Sequence, residues 1–439
     1  MKNLNRRNWL ILIVIFAGMF LNSCQKNQDP VSPDYTFYIS NELKFPVTTE
    51  EVKIKLLYAQ INFPEISQFK YDIEVQKMIT DGFGAMQLEV QYDIEVQKLT
   101  YKTKFQDKNI QASGLVYLPK TAGNYPVLCF QNGTNTLHSE APSENSDTDM
   151  LFMLESIATM GFIVVIPDYI GFGASSNLPH PYLHAESSNQ SILDMLRAVN
   201  EFSTEDKIVA KPTKDLYIFG YSQGGWATMQ LQREIEINYS EEFNLIASSC
   251  AAGPYSLQYM NDYITSKSIY PMPYFLAYLL NAYSSIGLIT DKLTDFFQDP
   301  YASKIPDLFD GLQSGGAINA ALTTSMVDVL DPFGKIIPGL LTPEYRTQFA
   351  DPAKFKEIKS AFIANSVTPW EISTPTRLYH GAEDELIPLS MSQRMLQDLK
   401  TAGTVDSKIQ LTIIPGVDHT TAVIPVGVAT IMWFLGLKK

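Results

Sequence analysis

The chain has 439 residues, of which 45% are hydrophobic and 18% charged, a globular composition that excludes a disordered polymer. That length supports one large core with a smaller appended part. The net charge of -14 and the lack of any long Lys/Arg cluster argue against a nucleic-acid partner.

The N-terminus reads as a leader rather than as part of the fold. Basic "MKNLNRRN" is followed by "WLILIVIFAGMFL", 13 uncharged residues from 9 to 21. The run is short for a spanning helix and fits the core of a secretory signal. "LNSC", ending at Cys24, resembles the lipobox of bacterial lipoproteins, in which the cysteine is lipidated and becomes the mature N-terminus. Asn22 departs from the small apolar residue usual there. The reading is a lipoprotein signal peptide over residues 1–23, with Cys24 carrying a lipid anchor to a membrane of the bacterial cell envelope. The outer membrane is the commoner destination. An ordinary signal sequence with a chance cysteine is the alternative. Removal of 1–23 takes away Lys2, Arg6 and Arg7 and deepens the charge to -17.

Residues 24–35 are polar and proline-containing, as a tether would be. Residues 36–109 are expected to form a strand-rich extension with a local duplication, because "YDIEVQK" at 71–77 recurs at 92–98. Its alternation puts Tyr71, Ile73 and Val75 on one face, the pattern of a half-buried strand. No function attaches to the repeat.

From residue 112 strands and helices alternate. "ASGLVYLP" and "YPVLCFQNG" read as a strand pair, and "GFIVVIPDY", "DLYIFG" and "NLIASSCAAG" as further strands. Between them lie the helical patterns "DMLFMLESIATM", "ESSNQSILDMLRAVNEF" and "QGGWATMQLQREI". This order implies an α/β fold with a mostly parallel sheet covered on both faces. The alternation stops at Pro254 and resumes at "TPTRLYHG" and "IQLTIIPG". The expected division is therefore a sheet domain over 110–253 and 371–439, interrupted by a largely helical cap over 254–370. An insertion between strand ends lies over the edge where such sheets bind ligands. Tyr270, Tyr274, Phe275 and Tyr278 are candidates for an apolar wall there. The uncharged stretch 420–437 reads as a final buried helix rather than a membrane span. Cys129 and Cys250 sit in strand-like runs, as a disulfide or as two buried thiols, and the residues suggest no metal site.

"GYSQG", residues 220–224, has the form G-x-S-x-G between a strand and a helix. A sharp turn there exposes the hydroxyl of Ser222 above the sheet, and the N–H of Gln223 can receive developing negative charge. Serine needs a base. Of His138, His180, His184, His380 and His419, only His419 follows the last strand, in "PGVDHTT". His380 reads as a packed or hydrogen-bonded strand-end residue. The acid belongs in the loop after "TRLYH", which offers Glu383, Asp384 and Glu385, with Asp384 preferred for its place between Gly381 and Pro388. Asp418 is the rival, disfavoured because adjacent loop side chains seldom face one another.

"GYSQGG", "HGAEDELIP" and "GVDH" together resemble the α/β-hydrolases. "QNGTNT", "PDYIGFG" and "HPYLHAESSNQSILDMLRA" are similar to segments of the secretory lipases and related bacterial esterases. The resemblance implies a cofactor-free serine hydrolase of carboxylic esters, with Ser222 as nucleophile, Asp384 as acid and His419 as base. It implies a second oxyanion donor at Gly133 or Thr134, where relatives often carry His-Gly and this chain has Asn132-Gly133. Asp168 is expected to brace its loop, and His184 and Glu186 to form a pair at or behind the cleft. The substrate expected is a small or lipid-like ester. The alternatives are a serine peptidase of the same fold, for which 36–109 is too short to supply a propeller, and a catalytically idle surface binding protein.

Overall fold

The computed structural model describes residues 35–66, 70–145, 149–328 and 336–439. The leader, Cys24 and the tether up to residue 34 lie outside the described residues. The extension opens with β1 (Tyr38–Val47), followed by α1 (Thr49–Ile66) and α2 (Ile73–Glu89). A long hairpin, β2 (Ile94–Phe105) and β3 (Lys108–Pro119), comes next. Its turn at Gln106 and Asp107 has φ of 50° and 60°, the mirror-image turn that matches strand twist.

The alternating part comprises β4 (Gly123–Gln131), α3 (Asp149–Thr159), β5 (Ile163–Pro167), α4 (Ala185–Phe202), β6 (Ala210–Tyr221), α5 (Gln223–Asn238) and β7 (Asn244–Ala251). Among the described residues eight cap helices come after it: α6 (Leu257–Ser266), α7 (Tyr274–Ser285), α8 (Leu293–Phe296), α9 (Tyr301–Leu308), α10 (Gly315–Asp328), α11 (Ile336–Leu340), α12 (Pro343–Gln348) and α13 (Lys356–Asn365). The chain then returns through β8 (Thr376–Gly381), α14 (Leu389–Thr401), β9 (Ile409–Ile414) and α15 (Val423–Leu437).

The strands of the described residues form a nine-stranded sheet in the order β1-β2-β3-β5-β4-β6-β7-β8-β9. The pairs from β1 to β5 are antiparallel, and those from β5 to β9 are parallel. One face packs Tyr217, Phe219 and Tyr221 of β6 against Val75, Ile79 and Phe83 of α2, Ile157 of α3 and Val426 and Phe434 of α15. The alternate residues Leu216 and Ile218 are equally buried, and α4 and α5 pack on the sheet as well. Burial from both sides is why β5, "IVVIP", has no polar position. Pro425 sits in the first turn of α15, where a missing N–H costs nothing. Among the described residues no helix is long and apolar enough to cross a membrane.

Two expectations are corrected. The first "YDIEVQK" is not a strand. Ile73 to Lys77 open α2, while Ile94 to Lys98 of the second copy open β2. The residues C-terminal to each copy decide the difference. After the first, buried Ile79, Phe83 and Met86 continue from Val75 at helical spacing; after the second, "LTYKTKF" alternates into the hairpin. The extension is thus half helical, and β1 and β2 continue the main sheet. Nor do β3 and β4 pair with each other, because β5 lies between them.

Candidate active site

Ser222 is the single residue between β6 and α5, with φ 60° and ψ -121°. A non-glycine residue in that region is strained, and the strain is held by close backbone packing. A Cβ on Gly224 would lie 1.9 Å from the carbonyl oxygen of Gln131, and one on Gly220 would lie 2.2 Å from that of Gly224. Only glycine lets the start of α5 pass so close to the end of β4. The Ser222 N–H donates to Ala251 O at 2.9 Å, tying the turn to β7.

The loops after β8 and β9 bring an acid and an imidazole to this serine. His419 Nε2 is 2.9 Å from Ser222 Oγ, and His419 Nδ1 is 2.6 Å from Asp384 Oδ2. The other carboxylate oxygen, Oδ1, accepts the N–H groups of Leu386 and Ile387 at 2.9 and 2.8 Å. The two loops are tied by Glu383 N–H to Val417 O, and Tyr221 Oη donates to His419 O at 2.7 Å. Burial pulls the Asp384 carboxyl up, but hydrogen bonds from His380 and His419 and their charges outweigh it and hold the group at about 2. Asp418, the rival, spends Oδ1 on the N–H groups of Thr420 and Thr421 and the hydroxyl of Thr421.

His380 is a fully buried strand-end residue, and it touches the site in a way the sequence reading missed. Its Nε2 lies 2.8 Å from Ile387 O and 3.3 Å from Asp384 Oδ2, and its Nδ1 lies 2.7 Å from Ser392 Oγ. A second imidazole therefore rests on the oxygen that receives His419. The i, i+4 spacing of His380 and Asp384 was the available signal. His180 is also buried. Its Nδ1–H donates to Ile170 O at 2.7 Å, leaving Nε2 to accept from the Gln223 side chain at 3.2 Å. Burial is the main reason its pKa falls to about 4, so this imidazole is neutral and holds the residue next to the serine.

The loop after β4 is braced rather than free. Tyr169 Oη donates to Asn132 O at 3.1 Å, and Thr134 Oγ1 is 2.9 Å from Tyr182 Oη. Asp168 braces its own segment, accepting from Ser113 Oγ at 2.6 Å and from Ser143 N–H at 2.8 Å. His184 turns to Ser187 Oγ at 3.0 Å, and with Glu186 it lines a separate surface cleft. Cys129 and Cys250 are buried free thiols.

Above Ser222 is a cavity lined by Tyr182, Leu183, Leu257, Met260, Phe275 and Leu279, with Asn261 and Tyr270 among the further wall residues. Of the four aromatics expected as a wall, Tyr270 and Phe275 line it and Tyr274 and Tyr278 do not. Tyr278 instead stacks between Tyr182 and Phe309, with ring centroids 4.5 Å away on each side.

Residues 136–277 match the secretory lipase family. No curated protein matches the chain. Among solved structures, it is similar to the rice cell wall degrading esterase LipA from Xanthomonas oryzae, at 23% identity and TM-score 0.69, over 91% of this chain and 96% of that one. A putative hydrolase from Legionella pneumophila shares 19% identity at TM-score 0.73, over 91% and 98% of the two chains. Candida antarctica lipase A in its closed state shares 15% identity at TM-score 0.59, over 78% and 77%. The chain has the α/β-hydrolase fold, with a sheet that is parallel apart from its antiparallel edge and a cap of helices. Fold and family match together make it a serine hydrolase of the esterase/lipase type.

Proposed function

We propose that the chain hydrolyses carboxylic esters through an acyl-enzyme on Ser222. The observation that carries this is the unbroken hydrogen-bonded relay from Ser222 through His419 to Asp384 beneath an apolar cavity. Asp384 accepts from His419 Nδ1–H and so fixes the tautomer whose Nε2 can take the serine proton. As Oγ attacks the ester carbonyl, His419 becomes an imidazolium stabilised by the carboxylate. The oxyanion is received by the N–H of Gln223, at the unpartnered start of α5, and by an N–H of Gly133 or Thr134. That second donor is supported by the packing of the β4 end against Gly224. His419 then protonates the departing alcohol, and water repeats the sequence on the acyl-enzyme.

The catalytic domain, 110–253 with 371–439, would carry the relay, and the cap, 254–370, would exclude water and grip a small or lipid-like acyl group. Lipidation of Cys24 would hold the enzyme on the outer membrane of a bacterial envelope, since two or more acyl chains anchor firmly. A fluorophosphonate probe should label the wild type and not Ser222→Ala. p-Nitrophenyl esters should be cleaved in preference to aminoacyl p-nitroanilides, and the opposite preference would reassign the enzyme as a peptidase.

A further inference from the structure

The cavity above Ser222 is apolar except at few points, and its polar groups can be accounted for one by one. Tyr182 Oη is engaged with Thr134 Oγ1, and Tyr270 Oη donates to Leu386 O at 3.0 Å. Ser222 holds His419. Asn261 is left. It is 1% exposed, lines the cavity, and its Nδ2 has no hydrogen-bond partner among the described residues. Its Oδ1 accepts from Tyr345 Oη of α12 at 2.7 Å. That bond sets which end of the amide is free. Turned over, the amide would leave both the Tyr345 hydroxyl proton and its own oxygen unpaired. A buried donor without an acceptor is costly to keep, which points to a ligand that supplies the acceptor.

The place of Asn261 says which part of the substrate this is. Leu257, Met260, Asn261 and Ile264 form one stripe of α6 along the cavity wall. Asn261 stands one helical turn beyond Leu257, about 6 Å further along the axis. Ser222 lines the cavity and His419 is not among its wall residues. The leaving alcohol must depart toward His419, which protonates it, so the group in the cavity is the acyl group.

We propose that Asn261 selects the acid part of the ester: an acyl group with an apolar body and an oxygen acceptor, as ketone, ether or hydroxyl, several bonds from the scissile carbonyl. This rests on the reading of Ser222 as the nucleophile of an ester hydrolase. A plain alkyl chain of equal length fits the walls but leaves Nδ2 unpaired. A site built to hydrogen-bond its substrate discriminates against the analogue lacking that group.

The test measures kcat/KM on matched p-nitrophenyl esters: valerate against levulinate, and heptanoate against its terminal methyl ketone analogue. In the wild type the keto ester of at least one pair should be preferred by on the order of ten-fold or more. Asn261→Leu should remove or reverse that preference by accelerating the alkyl ester. Because the substitution strands the Tyr345 hydroxyl, the double variant Asn261→Leu/Tyr345→Phe, which removes both partners, is measured beside it. Fluorophosphonate labelling checks that each protein retains its site. An unchanged keto-to-alkyl ratio in the variants that label, or no keto preference in the wild type, overturns the proposal. Cleavage of none of these esters by the wild type would instead sink the ester-hydrolase reading, and this inference with it.

Discussion

Replacing Asp384 by asparagine changes one atom, and the structure sets the outcome. Oδ1 of Asp384 accepts two backbone N–H groups, those of Leu386 and Ile387. An asparagine must therefore keep its oxygen on that side, since the reverse orientation would set its NH2 against two donors. Its NH2 then faces His419 Nδ1, at the position from which Oδ2 now accepts at 2.6 Å. The imidazole must turn into the tautomer with the proton on Nε2, and that proton points at Ser222 Oγ, 2.9 Å away. The base is blocked while the geometry survives. The expected loss in kcat is on the order of 10⁴, about 5.5 kcal/mol in activation free energy. Asp418→Asn is the control. Its carboxylate serves only the Thr420–Thr421 turn, so kcat should stay within about ten-fold of wild type, equivalent to roughly 1.4 kcal/mol. The assay is steady-state hydrolysis of an activated ester by both variants, with thermal unfolding to show that each is folded. A crippled Asp418→Asn beside an active Asp384→Asn would refute the assignment of the acid.

Acid titration should expose the same carboxylate. Its pKa in the folded chain, about 2, lies below that of an unfolded aspartate, so its stabilisation is present above about pH 4 and is lost as the pH falls toward 2. Linkage puts this at about 2 kcal/mol, and urea midpoints of Asp384→Asn should be less pH-dependent than wild type over that window; parallel curves would exclude the pairing. Gly224→Ala would place a methyl 1.9 Å from the Gln131 carbonyl, a backbone atom that no rotamer change can move. It should cost about 1–3 kcal/mol of stability and cut kcat/KM by a larger factor than the lowered melting temperature explains. A thiol reagent should leave Cys129 and Cys250 untouched in the native protein and modify both on denaturation, since burial pushes the Cys250 thiol up to about 12 and Cys129 higher still. Intact mass of the protein from its native membrane should show a chain beginning at Cys24 with added lipid; a different mature N-terminus or an unmodified Cys24 rules out the anchor.

Much of the architecture is legible from local pattern. Short apolar runs alternating with amphipathic helices describe a parallel sheet, because a strand buried on both faces has no polar positions to offer. Ser222 could be picked out because the sharp turn demands glycines close by in the chain. Asp384 and His419 could be picked out because the order of strands sets which loops share an edge. Partners across the fold are a different matter. Seven identical residues, "YDIEVQK", become helix at Ile73 and strand at Ile94, because a short word carries both periodicities and its flanks and packing partners choose between them. Tyr278 and Phe275 are three residues apart on α7, yet only Phe275 faces the cavity, since the sequence gives a helix its period but not its rotation against the domain beneath. His380 on the Asp384 carboxylate and Asn261 with one end of its amide free are likewise set by tertiary structure. A hydrogen bond depends on distances of tenths of an ångström between segments as much as 84 residues apart for Asn261 and Tyr345, and only packing of the whole chain decides them.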